Sequence, residues 1–296
     1  MLRPYDLLEN MLIDIEKGIK NGINLASLSK KYELSDGHLR RLFKFAFRQT
    51  ITGYIRSRKL TASLDDLLKK DAHIIDIALN YGYGYEQSYI RAFKEEFGIL
   101  PGEFRKNGQI VKVKPPLFLF DEERLKDGIL FGPEIVMVPR FLILGISSII
   151  PFDESIASAP KAAIQFWENK KKYVTNVKNP DVYIGLTYNI NKEAGNSEYI
   201  TSVQVKNFNN IPEGFSKYVF DSCLCARFRY IGKHHYYDLN RRMAGEMYNK
   251  IWKFANDSNQ KYALLRDKIY FEKIDISCYD GNYCQMEWFA PVIEKE

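Results

Sequence analysis

An internal repeat in the first part of the chain limits its possible folds more than any other feature of the sequence. Four residues of one stretch match four of another at an offset of 49: Leu25, Leu28, Ser29 and Tyr32 against Ile74, Ile77, Ala78 and Tyr81. Further on the offset becomes 50, and the matches are Arg41, Phe43, Lys44 and Phe47 against Arg91, Phe93, Lys94 and Phe97. The change of one residue falls where a turn would absorb an insertion. Each unit is therefore predicted to be a short helix, a turn and a longer helix.

Local sequence signals agree with two helix-turn-helix units. Asn24 and Ser35 stand where each can cap the following helix by accepting a hydrogen bond from a backbone N–H group. Gly82 and Gly84 are predicted to supply the positive φ angles that turn the chain in the second unit. Between the units, Tyr54 to Lys69 is predicted to form one linking helix. Because such units insert their second helix into the major groove, double-stranded DNA is the predicted partner.

The side chains that would read DNA lie on the predicted helix faces opposite the apolar ones. Arginine matches the acceptors of guanine and glutamine matches adenine, so base reading is expected from Arg40, Arg41, Glu86, Gln87, Ser88 and Arg91. Other basic residues are better suited to phosphate contacts: Lys44, Arg48, Arg56, Arg58, Lys59, Lys94 and Lys106. The charge distribution agrees, because residues 1–112 carry 19 Lys and Arg against 14 Asp and Glu, whereas residues 113–296 carry 24 against 23.

Composition excludes several other classes of protein. A hydrophobic content of 46% is ordinary for a folded globular protein. No apolar run approaches the ~18 residues of a membrane span, and the N-terminal residues show no secretory signal, so a cytoplasmic location is expected. The cysteines, at 223, 225, 278 and 284, have neither zinc nor redox spacing and are interpreted as free thiols. We therefore expect no metal, no cofactor and no membrane partner.

Several fixed-spacing elements in the first part of the chain resemble the AraC/XylS family of transcription regulators. They lie at residues 54–60 (YIRSRKL), 75–83 (IDIALNYGY) and 88–98 (SYIRAFKEEFG), followed by Pro101. The resemblance implies seven helices and two recognition helices that enter successive major grooves of one bent site. It adds Ile90 and Gly37 to the base-reading positions, although relatives carry a large side chain where Gly37 stands. Binding as a monomer is expected, with RNA polymerase as a further candidate partner.

The remainder of the chain follows a different pattern. Gly108, Pro115-Pro116, Gly128 and Gly132-Pro133 interrupt regular structure, so a linker is predicted over residues 108–133, between domains at 1–107 and 134–296. The second domain is predicted to have two helices, Asp153–Lys172 and Leu239–Phe254, and strands at Glu134–Ile149, Val182–Ile190, Tyr199–Val205, Ser222–Tyr230, Lys268–Ile274 and Tyr283–Val292. The expected fold class is multidomain. An all-α double helix-turn-helix domain precedes an α+β domain that repeats strand-helix-strand-strand twice.

The second domain resembles the GyrI-like effector-binding domains, in an arrangement similar to that of Rob-type regulators. The similar segments are residues 134–141 (EIVMVPRF), Trp252, Phe271-Glu272 and residues 286–291 (MEWFAP). The resemblance implies a pocket between two pseudo-repeats that accepts bulky, often cationic aromatic compounds, and the relatives' drug-binding glutamate falls on Glu272. An inward carboxylate is costly unless it is paired, so Glu272 is a plausible cation receptor. Six aromatic residues are candidates for the pocket wall: Trp167, Tyr188, Tyr230, Trp252, Tyr270 and Trp288.

Two other interpretations of the second domain stay open. It could be a hydrolase with Glu272 as general base, or a purely structural part of a DNA-binding protein. No nucleophile, metal cluster or phosphate-binding loop accompanies Glu272, and His234-His235 is expected at the surface, so no catalytic residue is assigned. The favoured prediction is a sequence-specific DNA-binding transcription regulator that responds to a small hydrophobic or cationic molecule.

Overall fold

The chain folds into two compact units that divide at about residue 120. The structure, a computed structural model, describes residues 2–69, 72–107, 110–119, 124–152, 155–238, 246–247, 249–251, 253, 262–265, 269–279 and 281–294. Within these residues, no helix is both long enough and apolar enough to cross a membrane.

Seven α-helices make up the described part of the first unit, as the family resemblance implied. They are α1 (Pro4–Gly18), α2 (Leu25–Tyr32), α3 (Asp36–Phe47), α4 (Ile51–Leu67), α5 (Ile74–Asn80), α6 (Glu86–Phe97) and α7 (Pro101–Asn107). The side chain of Asn24 accepts a hydrogen bond from the Ser27 backbone N–H at 3.0 Å, and Ser35 accepts one from His38 at 3.2 Å. Both predicted caps are therefore confirmed.

The turn of the second helix-turn-helix differs in part from the prediction. Gly82 has a φ of 76°, the left-handed conformation that favours glycine. A Cβ at this position would also lie 3.3 Å from the Cα of Gly22. Gly84, in contrast, does not have a positive φ, so that half of the turn prediction was wrong.

Helix α4 connects the cores of the two helix-turn-helix units. Phe43 of α3 packs against Tyr54 near the start of α4, with ring centroids 5.6 Å apart. Further along, Leu60 of α4 belongs to the buried cluster that contains Ile77 of α5 and Phe93 of α6. Because α3 and α6 bury their apolar faces in this way, their polar faces are left to solvent.

Residues 110–117, which the sequence assigned to a linker, lie along α4 in the first unit. The backbone N–H of Lys114 donates to Thr61 Oγ1 at 3.1 Å, and that of Leu117 donates to the Tyr54 hydroxyl at 3.0 Å. Two prolines prevent regular structure here, but the N–H groups beside them still bond to side chains of α4. Because residues 110–117 belong to the first unit and the first strand begins at Gly128, the predicted linker over residues 108–133 was too long at both ends.

The second unit is built on one antiparallel sheet. Its strands are β1 (Gly128–Val138), β2 (Phe141–Pro151), β3 (Val182–Asn191), β4 (Asn196–Val205), β5 (Ser216–Phe220), β6 (Cys223–Gly232), β7 (Tyr262–Leu264), β8 (Tyr270–Asp275) and β9 (Cys284–Glu294). They follow the order β1-β6-β9-β8-β3-β4-β2-β5, and β7 also pairs with β9. Helix α8 (Ser155–Gln165) continues into a π-helical turn over Phe166–Lys170.

The two halves of this sheet exchange their leading strands. Strand β1 precedes β2 in the chain but pairs with β6, whereas β5 precedes β6 but pairs with β2. The predicted strand Glu134–Ile149 is therefore two strands, separated at Pro139 and Arg140, and β5 was not predicted. The apolar residues on both sides of Pro139 and Arg140 led the prediction to join the two strands, although a proline within such a run indicates a break. The predicted helix Leu239–Phe254 lies largely outside the described residues.

Candidate functional site

Helices α3 and α6 present most of their predicted base-reading side chains to solvent. On α3, Leu39 and Leu42 are completely buried, so the opposite face of the helix points outward. On α3, Arg40 and Arg41 are exposed. On α6, Gln87 and Arg91 are exposed, and Glu86 and Ser88 are half-buried. Both helices therefore offer long polar side chains of the types that match base edges.

The guanidinium of Arg41 lies beside Gly37 at the start of α3. A Cβ at position 37 would stand 3.4 Å from Arg41 Nη1, which is ordinary van der Waals contact. Because glycine has no side chain, this position leaves the Arg41 head group uncovered. Gly37 itself has no side chain with which to contact a base.

Most of the predicted phosphate-binding residues are accessible. The exposed ones are Lys44, Arg48, Lys94 and Lys106. Arg56 is also exposed but forms an ion pair with Glu95 of α6. Lys59 is half-buried, and burial lowers the pKa of its ammonium group. The four cations named first lie on α3, α6 and α7 or, for Arg48, directly after α3, and their charges are accessible as a phosphate contact requires.

Arg58 is a structural residue, and the prediction that it contacts phosphate was wrong. Its side chain is 11% exposed. Its Nε and Nη2 donate to the carboxylate of Glu16 at 2.9 and 2.7 Å, and its Nη1 donates to the Lys114 carbonyl at 2.6 Å. The hydrogen bond to Glu16 is the main reason that the pKa of Arg58 is raised. This one side chain joins α1, α4 and residues 110–117.

The second unit contains a cavity of about 140 Å³ between α8 and the sheet. Ala163 and Ile164 of α8 line one side, and Ile274 and Met286 of the sheet line another. Four residues expected from the sequence also line it: Trp167, Tyr270, Glu272 and Trp288. Among the described residues that line it, Glu272 is the one with a carboxyl group, and most of the others are apolar or aromatic.

Three other aromatic predictions have different outcomes. Tyr188 lies on the opposite face of β3 from the cavity-lining Tyr183 and Thr187, and its hydroxyl is 3.0 Å from Ser147 Oγ, so its assignment was wrong. Tyr230 is buried and does not line the cavity, so that assignment was wrong as well. Trp252 lies outside the described residues. Successive side chains of a strand point to opposite faces of the sheet, so Tyr188 points away from the cavity while its neighbour Thr187 lines it.

Glu272 bonds to one of two linked tyrosines, neither of which the sequence prediction included. The hydroxyl of Tyr199 donates to Glu272 Oε1, and the hydroxyls of Tyr183 and Tyr199 lie 2.7 Å apart. Burial raises the pKa of Glu272 to about 7, although the bond from Tyr199 opposes this shift. Burial also raises the pKa values of Tyr183 and Tyr199 well above the usual range, so both remain donors. The cavity thus holds a carboxyl group that changes charge near neutral pH.

Gly185 makes room for this group of side chains. It pairs directly with Glu272 across β3 and β8. A Cβ at position 185 would lie 2.0 Å from Glu272 Oε1 and 2.1 Å from the Tyr199 hydroxyl, far closer than atoms can approach. Strand alternation could have placed Tyr183 and Tyr199 on the cavity face, but their hydrogen bonds depend on a register that the sequence does not give.

Other chemistry is limited within the described residues. They contain no group of three or more His, Cys, Asp or Glu side chains that could hold a metal ion. The four cysteines are free thiols, and Cys223 Sγ lies 3.7 Å from Cys225 Sγ on the same face of β6.

Comparison with known proteins assigns both units to families. A family described as "helix-turn-helix domain" matches residues 28–107, and one described as "GyrI-like small molecule binding domain" matches residues 132–290, over half of the chain. The protein named "Probable transcription factor PqrA" of Proteus vulgaris is 36% identical over 106 residues, which cover 34% of this chain and 87% of that protein. The transcriptional regulator Rob of Salmonella typhimurium is 32% identical over 115 residues, 38% of this chain and 40% of Rob. A solved structure of a protein bound to tetraphenylphosphonium is 13% identical, covering 55% of this chain and 94% of that one, with a TM-score of 0.42.

A helical domain with two recognition helices, followed by a sheet domain with an apolar cavity, defines a DNA-binding transcription regulator that carries a small-molecule-binding domain. The chain belongs to the AraC/XylS family of transcription regulators and has a C-terminal GyrI-like domain. The predicted family, fold class and general function are confirmed.

Proposed function

We propose that this regulator binds an aromatic cation in the cavity of its second unit and that Glu272 is the counter-charge. The observation that carries the proposal is a carboxyl group in an apolar, aromatic wall, with Tyr199 donating a hydrogen bond to it. A cation would offset the cost of ionising that group, because the attraction between opposite charges is strong where water is excluded. Trp167, Tyr270 and Trp288 would add cation–π attraction from the sides.

A charge-specific binding experiment tests this proposal. Calorimetric titration with methyltriphenylphosphonium and with the neutral triphenylphosphine oxide compares ligands that share three phenyl rings and a similar size and that differ mainly in charge. Glu272→Gln keeps the side-chain shape and an acceptor for Tyr199 but removes the charge. It is therefore expected to weaken binding of the cation at least several-fold and binding of the neutral compound much less. Glu198→Gln is the matched control, since Glu198 lies on β4 outside the cavity lining and bonds to Asn189 at 2.9 Å. Equal losses for both ligands would contradict the counter-charge role.

We also propose that α3 and α6 read bases and that a single chain occupies one DNA site. Two recognition helices in one chain provide the pair of groove contacts for which other helix-turn-helix proteins need a dimer. Exposed arginines at equivalent positions, Arg41 and Arg91, support base reading on both helices. Exposed Lys94 supports a phosphate contact beside the second helix. RNA polymerase is the partner through which DNA binding would change transcription.

In vitro selection of DNA, followed by binding assays, tests these roles separately. Arg41→Ala is expected to cost ~1–3 kcal/mol of discrimination between the selected site and mismatched sites. Lys94→Ala is expected to weaken binding to all sequences evenly and to reduce the dependence on salt. An unchanged preference in Arg41→Ala would remove that residue from the reading face. The mass of the protein–DNA complex shows whether one chain is bound.

A further inference from the structure

The segment that follows β6, residues 233–238, lies against the cavity and contains two histidines and two tyrosines. We call it the tyrosine segment. Its start is fixed where the Lys233 backbone N–H donates to the Asp127 carbonyl at 2.9 Å. Next to it, His234 Nε2 is 2.9 Å from the hydroxyl of buried Tyr230. The two histidines are half-buried, in contrast to the surface position expected from the sequence.

The end of the tyrosine segment supplies two aromatic rings to the cavity. Tyr236 and Tyr237 both line it. The ring of His235 lies 4.1 Å from that of Tyr236 and 4.6 Å from that of Tyr279, centroid to centroid. Burial, the neighbouring Tyr236 and the nearby carboxylate of Glu168 raise the pKa of the Tyr237 hydroxyl to about 12, and Glu168 is the residue after cavity-lining Trp167. The segment therefore spans from the end of β6 to the turn that follows α8.

The hydrogen bond between His234 and Tyr230 depends on a glycine. A Cβ at Gly232 would lie 2.2 Å from His234 Nε2 and 2.3 Å from the Tyr230 hydroxyl. Any larger residue would push these two groups apart. The end of β6 is thus shaped so that the imidazole folds back onto the strand and the chain continues toward the cavity.

We propose that the tyrosine segment makes the cavity selective for aromatic over aliphatic cations. Tyr236 and Tyr237 contact the ligand, and His234 is a positioning residue that holds them in place through Tyr230. The proposal rests on the cation-binding function proposed above, because it concerns the same cavity. Tyrosine rings favour aromatic groups through offset and edge contacts, which aliphatic chains do not make.

Two cations with the same charge and the same central atom test the selectivity. In His234→Leu, the affinity for tetraphenylphosphonium is expected to fall about threefold to tenfold, the size of a lost aromatic contact. The affinity for tetrabutylphosphonium is expected to fall much less. Tyr230→Phe removes the same hydrogen bond from the other side and is expected to give the same change in the ratio of affinities. His234→Gln keeps a polar group at this position and is expected to recover most of the selectivity. Tyr173→Phe, an exposed tyrosine outside the cavity lining, is the control.

Hydrogen exchange of residues 233–238 provides a second measurement that needs no ligand. In His234→Leu and Tyr230→Phe, exchange is expected to rise in this segment while the melting temperature changes little. Unchanged exchange, or equal affinity losses for both cations, would overturn the proposal. If the wild-type protein binds neither cation, the cation-binding function fails. The exchange result still decides the role of His234, since an increase supports positioning and no increase overturns it.

Discussion

The affinity for a cation is expected to depend on pH through Glu272. Its pKa of about 7 means that the group is mostly neutral below that pH and mostly ionised above it. If only the ionised form binds the cation, affinity follows the ionised fraction, about nine-tenths at about pH 8 and about one-tenth at about pH 6. The affinity for tetraphenylphosphonium should therefore rise about tenfold between these pH values, or about 1.4 kcal/mol.

Isothermal titration calorimetry at several pH values measures this change directly. Binding near neutral pH should also release a fraction of a proton, which appears as a dependence of the heat on the buffer. His234 lies near the cavity, but burial lowers its pKa, so it stays neutral over most of this range. Glu272→Gln is expected to show weaker binding with no such pH dependence. The same pH dependence in that variant, or none in the wild type, would refute the argument.

The same substitution should alter the stability of the protein without ligand. Because the folded-state pKa of Glu272 is raised above its unfolded value of 4.5, its contribution to stability is complete below about pH 4.5 and is lost as the pH rises through about 7. Glu272→Gln avoids that loss. The variant is therefore expected to be more stable than the wild type at about pH 8, by up to about 3 kcal/mol, and similar at about pH 4.5. Urea unfolding at both pH values checks the sign.

Three further predictions concern the first unit. An N-terminal fragment ending at Leu119 is expected to melt at a higher temperature than one ending at Asn107, because only the longer one keeps residues 110–117 on α4; equal melting would show that these contacts add nothing. Arg58→Ala should lower the free energy of unfolding by about 3 kcal/mol, since it removes the cation paired with Glu16 and leaves that carboxylate only the Tyr54 hydroxyl, while the salt dependence of DNA binding stays unchanged. Gly82→Ala should destabilise by about 1 kcal/mol or more, which chemical denaturation measures, because alanine tolerates a positive φ poorly.

The DNA-binding unit was largely predictable because its determinants are local. Helical periodicity and the caps at Asn24 and Ser35 act over a few residues, and the structure follows them. Arg58 was assigned wrongly because charge alone does not show a partner. Glu16, more than 40 positions away, becomes its neighbour only when α1 packs on α4.

The ligand cavity was less predictable because it depends on strand register and on long-range pairs. Glu272 was expected from a family resemblance, but Tyr199 reaches it across 73 positions of sequence. Gly185 gives no signal in the sequence, because its role is to leave space for atoms of other strands. The pairing of β1 with β6 and of β5 with β2 was also not predicted, because hydrophobic periodicity does not specify which strands pair.

In vitro transcription from a promoter that carries the selected DNA site measures whether a cation in the cavity changes the activity of the regulator. The output with RNA polymerase is compared with and without saturating tetraphenylphosphonium, for the wild type and for Glu272→Gln at the same ligand concentration. In the wild type, transcription is expected to change about fivefold or more on ligand binding, for a coupling of ordinary size, and in the variant the change is expected to be much smaller. Identical transcription with and without ligand in the wild type, under conditions where calorimetry shows the cavity to be occupied, would contradict this expectation.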